Sequence, residues 1–411
     1  MKTEVCIIGG GPAGLMAAIF CAEARADTTV IEANASPGQK LLLTGGGRCN
    51  LTHQASPREL VRAFGAKGKF LSYALYRFSP QDVRDFFARL DLETRLEEDG
   101  CVFPATDRAG DVRDALVERA SRLGVRFLYG RRAGHAAKES GSFAVRAGTD
   151  RICAEKLIVA TGGLSWPQTG CTGDGYRFAR QFSHIIVEPR ASLIPLVTRE
   201  VWSGQLAGTA VEDVKISAHI NNKKLTTAGA MVFTEDGIGG PAVLDMSRHL
   251  TDHLLDGAPI GITLDLAPHV EQALLEAQIT EHIAANPKKK VANILAEFVP
   301  KRLAIVLSRQ GDCDDHLAAG QLIKDARKKL AGMLKRLHLS VVRTRPIAEA
   351  TVTRGGVSVA EIEPKTMESK LCPGLFFAGE VLDVDGPCGG YNLQACWSTG
   401  ALAGSSASRV Q

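Results

Sequence analysis

The sequence lacks the features that mark a membrane-spanning or exported protein. None of its apolar runs approaches the roughly 20 residues that cross a bilayer, although 45% of its 411 residues are hydrophobic. Its N-terminus enters an apolar strand without a charged leader or a cleavage site. We therefore expect a cytoplasmic globular protein without membrane association, divided into two or three domains.

Cysteine pairs of recognisable spacing are also missing. The ten cysteines include no C-x-x-C pair and no grouping with histidine at zinc-ligand spacing, so we expect no metal site. Without a sign of export, a disulfide framework is not expected either, and most of these cysteines should be small buried side chains. Cys49 and Cys388 differ because each lies in a glycine-rich loop.

The net charge is small overall but unevenly distributed. The whole chain carries a formal net charge of +4, yet residues 288–345 hold 14 Lys and Arg against 5 Asp and Glu, a local excess of +9. This stretch is either a solvated helical face or a surface that contacts phosphates. Its single aromatic residue is Phe298, so any base stacking would have to come from elsewhere.

The N-terminal stretch "EVCIIGGGPAGLMAAIFCA" predicts a strand at 4–8, a glycine turn and a helix that begins near Pro12. A second strand, "TTVIEAN", closes on Glu32. In a dinucleotide site of this order, backbone N–H groups and the helix N-terminus meet the pyrophosphate, and the acid accepts from ribose hydroxyls. The alternative is a structural turn in another α/β fold. The predicted contacts of the turn are Gly9, Gly11, Pro12, Ala13 and Gly14.

Two later segments favour FAD over NAD as the nucleotide. In "LLLTGGGRCNLTH" the glycines would let the backbone pass a flat ring system, while Arg48 and Cys49 bring a cation and a thiol to its edge; a flexible surface loop is the alternative. "KLIVATGG" (156–163) predicts a strand that passes the nucleotide. The predicted cofactor contacts of these segments are Lys40, Gly45, Gly46, Gly47, Arg48, Cys49, Asn50, Ala160, Thr161 and Gly162.

The C-terminal segment "GLFFAGEVLDVDGPCGGYNLQACWSTGALAG" (374–404) predicts a strand, a loop and a second helix whose N-terminus faces the flavin. Such a terminus would stabilise negative charge on the pyrimidine ring, and Glu380 is placed to hold ribityl hydroxyls. A core helix with an ordinary loop is the alternative. The predicted contacts here are Gly379, Glu380, Gly390, Tyr391, Asn392 and Leu393.

Together the glycine triplet with Arg-Cys-Asn-Leu-Thr, "ATGGLSWPQTGCTGDGY", "VTRGGV" and "GEVLDVDGPCGGYNLQ" resemble the BaiN-like/YhiN-like NAD(P)/FAD-dependent oxidoreductases and, more remotely, the flavin subunits of fumarate reductases. The resemblance implies an α/β, Rossmann-like FAD-binding domain of the two-dinucleotide-binding-domain flavoprotein type, interrupted by an inserted antiparallel β domain and a helical domain. It also implies bound FAD, with NADPH or NADH as donor. Members of the family have been linked to dihydrouridine formation in large-subunit ribosomal RNA and to reduction of small unsaturated molecules. His53, Cys171 and the Ala395-Cys396 pair depart from the family pattern.

The domain boundaries follow from changes in periodicity. We predict a first part of the FAD-binding domain at 1–191, a β domain at 192–268 with a return at about 338–345, a basic helical insertion at 269–337 and a second part of the FAD-binding domain at 346–411. Alternating runs such as "VKISAHI" and "APIGITLDL", with turns at "NNKK" and "DGIGGP", indicate a small barrel or sandwich. Helical spacing then extends from "VEQALLEAQITEHIAA" to "AGQLIKDARKKLAGMLKRL".

The expected chemistry is that of a flavin. NAD(P)H would reduce it, and a hydride would pass to an electron-poor carbon such as C6 of uracil or the β-carbon of an enone. Cys49 and Cys388 are candidate proton donors, with packing beside the ring as the alternative for each. Arg48 would stabilise a developing enolate or bind pyrophosphate. The chain has no Cys-x4-Cys motif after its second strand and no second G-x-G-x-x-G, which excludes a dithiol relay and a separate nicotinamide domain.

Three functions remain open at this point. The first is an RNA-directed reductase that binds ribosomal RNA through the basic insertion at 288–345. The second is a reductase or oxidase of a small unsaturated or amine metabolite, in which the insertion only covers the cleft. The third is a flavin-binding protein without catalysis. The sequence does not indicate which oligomeric state the protein has.

Overall fold

The computed structural model describes residues 1–409 and divides the chain into two units. The first unit contains Met1–Ala191 and the chain from Ile347 onward, and the second contains Ser192–Pro346. No helix in the described range is long and apolar enough to cross a membrane.

The first unit is built from both ends of the chain. Its N-terminal part contains β1 (Lys2–Ile8), α1 (Pro12–Glu23), β2 (Thr28–Ile31), β3 (Thr52–His53), α2 (Pro57–Ala63), α3 (Gly68–Arg77), α4 (Pro80–Ala88), β4 (Thr94–Leu96), β5 (Cys101–Pro104), α5 (Ala109–Arg122), β6 (Arg126–Leu128), β7 (Ala133–Glu139), β8 (Ser142–Ala147), β9 (Asp150–Val159), α6 (Asp174–Gln181) and β10 (Ile186–Ser192).

The second unit and the returning chain complete the element order. The second unit contains β11 (Leu196–Thr198), β12 (Ala210–Ile220), β13 (Lys223–Phe233), β14 (Gly237–Gly239), α7 (Pro241–Leu250), β15 (Ile260–Asp265), α8 (Gln272–Ala285), α9 (Val291–Leu295), α10 (Lys301–Gln310), α11 (Lys324–Lys335) and β16 (Leu337–Thr344). The chain then returns through β17 (Val352–Val357), β18 (Leu375–Phe377) and α12 (Tyr391–Ala407).

A seven-stranded sheet forms the centre of the first unit. Six of its strands follow the order β6-β2-β1-β9-β8-β7, and the seventh, β18, pairs with β9. Strands β6, β2, β1, β9 and β18 run parallel, whereas β7 and β8 form an antiparallel hairpin on β9. Buried parallel strands read as continuous apolar runs, which is how "CII" and "LIV" appear in the sequence. The predicted Rossmann-like fold is confirmed.

The C-terminal helix α12 packs directly on the first helix α1. A Cβ atom at Gly400 would lie 2.4 Å from the Ala13 carbonyl oxygen, and one at Gly404 would lie 2.4 Å from that of Ala17. Only glycine allows this approach of the two backbones. Residues from the two chain termini therefore share one core, which holds the turn before α1 and the loop before α12 in the same unit.

The second unit is a closed barrel with helices packed on it. The barrel order is β11-β14-β13-β12-β15-β16, which confirms the antiparallel β insertion. The predicted β domain at 192–268 and the predicted helical domain at 269–337 share one hydrophobic core and form a single unit.

One local prediction in this unit is wrong. The stretch "DGIGGP", predicted as a turn between strands, contains the short strand β14 and then starts helix α7, with Pro241 in its first turn and Gly240 at φ +89 before it. The last helix of the unit ends at Lys335, and Leu337 then pairs with Leu264 in the barrel, close to the predicted return of the chain at about 338–345.

Candidate functional site

The glycine turn between β1 and α1 has the shape predicted for a dinucleotide site. Gly9 has φ +104, and a Cβ there would lie 2.4 Å from the Ala160 carbonyl oxygen. A Cβ at Gly14 would lie 1.9 Å from the Gly9 carbonyl oxygen, so the helix and the turn are in direct backbone contact. At Gly11, by contrast, a Cβ would meet nothing within 4 Å, and no side chain caps the N-terminus of α1. The turn therefore offers backbone donors to open space.

Glu32 follows β2 and lies against this turn, as predicted. Its buried carboxylate accepts hydrogen bonds from the backbone N–H of Gly10 at 2.8 Å and, at the other oxygen, from the backbone N–H and the side-chain Nδ2 of Asn34, both at 2.8 Å. A carboxylate has about four lone-pair positions, so these bonds leave it capacity for one more donor, such as a ribose hydroxyl.

The segment Ala160–Gly162 crosses the turn where β9 ends, as predicted. Ala160 contacts Gly9 through its backbone, and Gly162 has φ +73. The Thr161 hydroxyl lies against Gly175 in α6, where it is buried without a hydrogen-bond partner in the described residues. Thr161 can thus meet a nucleotide only through its main chain in this arrangement.

Lys40 and Glu380 form a largely buried ion pair that joins the two parts of the chain. Lys40 Nζ lies 2.6 Å from Glu380 Oε2 and 2.5 Å from Ser165 Oγ. Ser165 Oγ donates to Glu380 Oε1 at 2.9 Å, and the Thr353 N–H donates to the same oxygen at 2.8 Å. Ser165 and Thr353 were not predicted as site residues, although both lie in motifs that carried the family resemblance, "ATGGLSWPQTG" and "VTRGGV".

The ion pair keeps Glu380 ionised. Burial alone would raise the pKa of this carboxyl group, but the charge and hydrogen bond of Lys40, with the donors of Thr353 and Ser165, outweigh it and lower the pKa below its ordinary value. The site therefore holds one fixed negative and one fixed positive charge next to each other, both with further polar partners.

The glycine triplet adopts a kinked 3-10 helix from Leu41 to Gly47 with left-handed backbone at Gly45, Gly46 and Gly47. A Cβ at Gly46 would meet nothing within 4 Å, which leaves clearance beside the backbone. Cys49 also has a positive φ, 67°. Its side chain is fully buried, and burial raises the pKa of its thiol to about 12. These features favour packing over proton donation for Cys49.

Arg48 does not carry an unpaired cation toward the site. Its guanidinium lies 2.7 Å from the Glu97 carboxylate and 3.9 Å above the centre of the Phe103 ring. Its hydrogen bond is the largest influence lowering the pKa of the Glu97 carboxyl group. Arg48 is thus engaged in a surface ion-pair network with Glu97, Arg95 and Asp107, which opposes the roles predicted for it in enolate or pyrophosphate binding.

Helix α12 begins at Tyr391, as predicted, after two glycines with positive φ. No side chain caps its N-terminus. The Asn392 side chain holds the preceding loop, because Oδ1 accepts from the Gly386 N–H at 2.8 Å and Nδ2 donates to the Gly386 carbonyl oxygen at 3.0 Å. Tyr391 stacks on His53 with ring centres 4.8 Å apart, and Leu393 packs on the core. Asn392 and Leu393 thus support the loop and helix.

Two further predicted residues lie at the same loop. Cys388 is half-buried within it. Asn50 Oδ1 is buried and has no hydrogen-bond partner in the described part of the chain, and a Cβ at Gly390 would lie 2.8 Å from it. The loop at 386–390 therefore meets the segment that follows the glycine triplet.

These observations fit FAD. Helices α1 and α12 both have N-termini that no side chain caps, Gly11 and Gly46 leave space where a side chain would stand, and Asn50 keeps an unused acceptor. Among residues 1–409, no group of three or more His, Cys, Asp or Glu side chains is arranged to hold a metal ion.

Comparison with known proteins agrees with this geometry. The family model described as "HI0933-like protein Rossmann domain" matches residues 3–406. The chain is 32% identical to the 3-dehydro-bile acid delta(4,6)-reductase of Clostridium scindens over 98% of both chains. It is also 32% identical to the ribosomal RNA dihydrouridine synthase of Escherichia coli, covering 97% of this chain and 96% of the relative.

Solved structures share the fold at low identity. The open conformation of a flavocytochrome c3 fumarate reductase matches with a TM-score of 0.53 and 15% identity, over 99% of this chain and 78% of the other. The quinol fumarate reductase FrdA of E. coli matches with a TM-score of 0.52 and 16% identity, over 99% of this chain and 70% of the other.

Proposed function

Since the chain belongs to the HI0933-like family of FAD-type oxidoreductases, we propose that it is a cytoplasmic reductase that adds hydrogen to a carbon–carbon double bond conjugated to a carbonyl group, with NADPH or NADH as donor. The family resemblance seen in its motifs is confirmed. We propose uracil in large-subunit ribosomal RNA as the substrate.

The names of the relatives support this reaction class. One relative is named as a delta(4,6)-reductase and another as a dihydrouridine synthase. In uridine the C5–C6 double bond is conjugated to the C4 carbonyl group, and dihydrouridine is uridine in which this bond is saturated. A common requirement follows, since each reaction needs a hydride at one carbon and a proton at its neighbour.

The observation that carries the proposal is the buried assembly of Lys40, Glu380, Ser165 and Thr353. It is built from both chain termini and lies in the same unit as the helix N-termini that fit the cofactor. When bound, FAD supplies the hydride chemistry. Lys40 and Glu380 would hold its polar chain, and the N-terminus of α12 would favour negative charge on its ring.

Cys388 is our proposed proton donor. It is half-buried in the loop that Asn392 braces, whereas Cys49 is fully sealed in the core. A thiol at the partly exposed position can reach a substrate carbon and recover its proton from solvent.

A small conjugated ketone is the second candidate substrate, because the bile-acid reductase is as similar to this chain as the RNA enzyme is. The two are separated by anaerobic mixing of the reduced holoprotein with unmodified large-subunit ribosomal RNA or with a steroid 4-en-3-one, followed by mass spectrometry of the product. We expect uracil to gain two hydrogens. In cells that lack the protein, ribosomal dihydrouridine should fall, and an unchanged content would contradict the RNA substrate.

A further inference from the structure

Helix α3 presents an exposed aromatic and basic face. Lys69, Tyr73, Tyr76 and Arg77 stand at spacings of four, seven and eight residues along it, which places them on one side of the helix. Tyr73 is 38% exposed and Tyr76 is 59% exposed. The opposite side of α3 is buried and packs against α12. Two of the chain's five tyrosines thus stand in solvent on a helix anchored to the candidate site.

Helix α2, which packs against α3, carries further positive charge. Residues 57–77 contain five Lys and Arg and one acidic residue. That acid, Glu59, is held by the Ser56 backbone N–H and hydroxyl in the capping box of α2. Arg58 and Arg62 are exposed on the same short helix. Within the described residues, none of Arg58, Lys69 and Arg77 is engaged in an ion pair.

The segment that joins α2 to α3 contacts the loop that precedes α12. Lys67, between the two helices, pairs with the buried carboxylate of Asp383. The Phe64 ring lies edge-on to Tyr391 with centres 6.5 Å apart, and a Cβ at Gly386 would lie 2.7 Å from that ring. A strand bound along α3 would therefore end beside the loop that carries Cys388.

The basic insertion is a weaker candidate for the same role. Five of the 14 Lys and Arg side chains at 288–345 pair with carboxylates of their own unit, as Lys289–Glu297, Arg309–Asp315, Lys329–Asp312, Lys335–Asp265 and Arg345–Asp236. It also lacks exposed aromatic rings on which bases could stack, since Phe298 is its single aromatic residue and is partly buried.

We propose that the exposed face of α2 and α3, formed by Arg58, Arg62, Lys69, Tyr73, Tyr76 and Arg77, docks unpaired RNA. The tyrosines stack on bases, the cations contact the phosphates, and the strand leads a neighbouring base toward the loop at 386–390. Aromatic rings between cations are the usual means of binding single strands, because every base has a face to stack. The inference rests on the RNA substrate proposed above.

Binding of a fluorescently labelled, uridine-containing single-stranded RNA to the holoprotein tests this surface by fluorescence anisotropy over a salt series. Tyr73→Ala and Tyr76→Ala should each weaken binding about tenfold with little change in salt dependence. Tyr73→Phe and Tyr76→Phe keep the rings and should bind like the unaltered protein. The quadruple change Arg58→Gln, Arg62→Gln, Lys69→Gln and Arg77→Gln should reduce the magnitude of the slope of log affinity against log salt by about 3, because each of the four lost phosphate contacts contributes roughly 0.7 to that slope.

The matched control removes four exposed lysines of the insertion, Lys288→Gln, Lys301→Gln, Lys324→Gln and Lys328→Gln. It should leave RNA binding and its salt slope unchanged. If the control variant loses binding and the α2–α3 variants do not, the inference is overturned. Dihydrouridine is measured separately, after anaerobic mixing of the reduced holoprotein with the same RNA. If the unaltered protein forms dihydrouridine but the α2–α3 variants bind RNA as well as it does, the docking surface is refuted and the proposed reaction stands. If the α2–α3 variants lose binding but the unaltered protein forms no dihydrouridine, the reaction alone is refuted.

Discussion

Replacing Glu380 by glutamine tests whether the buried ion pair stabilises the first unit. Glutamine keeps an acceptor for Ser165 and Thr353 but leaves the Lys40 ammonium without its counter-charge. The two side chains are only 17% and 15% exposed. Removing one partner of a buried pair costs about 3–5 kcal/mol, and the remaining access to water places this pair near 3 kcal/mol. For a unit of this size the loss corresponds to a Tm lower by roughly 6–12 °C.

The assay is thermal and urea unfolding of the apoprotein, so that weaker FAD binding does not enter the comparison. Lys40→Gln should destabilise by a similar amount, because it leaves the Glu380 carboxylate buried and unpaired. The double variant Lys40→Gln, Glu380→Gln should lose less than the sum of the two single losses, by more than about 1 kcal/mol. Losses that simply add would refute a coupled pair.

The remaining predictions concern the cofactor, the proton and pH. Gly11→Asp should leave the apoprotein stable, since the backbone at Gly11 is extended and aspartate can cap α1. The same change should weaken FAD binding, measured by titration, by at least about 100-fold, because the new carboxylate repels the pyrophosphate. Unaltered affinity would place the nucleotide elsewhere. Cys388→Ala should lower the rate of substrate reduction by about 100-fold, whereas Cys49→Ala should leave the rate unchanged and affect only stability; the reverse result would exchange their roles. Burial lowers the pKa of His184 below its ordinary 6.5, against a smaller opposing effect of Glu361. The unfolded chain therefore binds the proton more readily, so stability is full above pH 6.5 and falls as pH drops below it; His184→Gln should flatten this dependence in unfolding curves, and an unchanged slope would contradict it.

Local sequence was sufficient for the elements whose geometry is set by their own residues. The turn from Gly9 to Gly14, the acid at Glu32 and the start of α12 at Tyr391 were predicted because glycine, apolar runs and strand ends carry their own conformational requirements. The antiparallel strands of the insertion were also predictable from alternation, which did not distinguish a barrel from a sandwich. Helix α7 was missed because its ten residues follow a glycine-rich stretch typical of turns, and Pro241 after Gly240 was its one start signal.

Partnerships between distant residues could not be predicted in this way. Glu97 lies 49 residues after Arg48, and Thr353 lies 188 residues after Ser165. Nothing in the spacing near Arg48 indicates that a carboxylate and the Phe103 ring would engage it. The face of Lys69, Tyr73 and Tyr76 has a helical spacing, but only the structure shows that its tyrosines are exposed while Leu71 and Leu75 are buried.

The most direct test of the central claim is the flavin content of the purified full-length protein. If the pieces from both termini form one cofactor site, the protein should contain, or take up on reconstitution, one FAD per chain with the absorbance of a bound flavin. A correctly folded protein that remains colourless and binds no FAD would contradict the account.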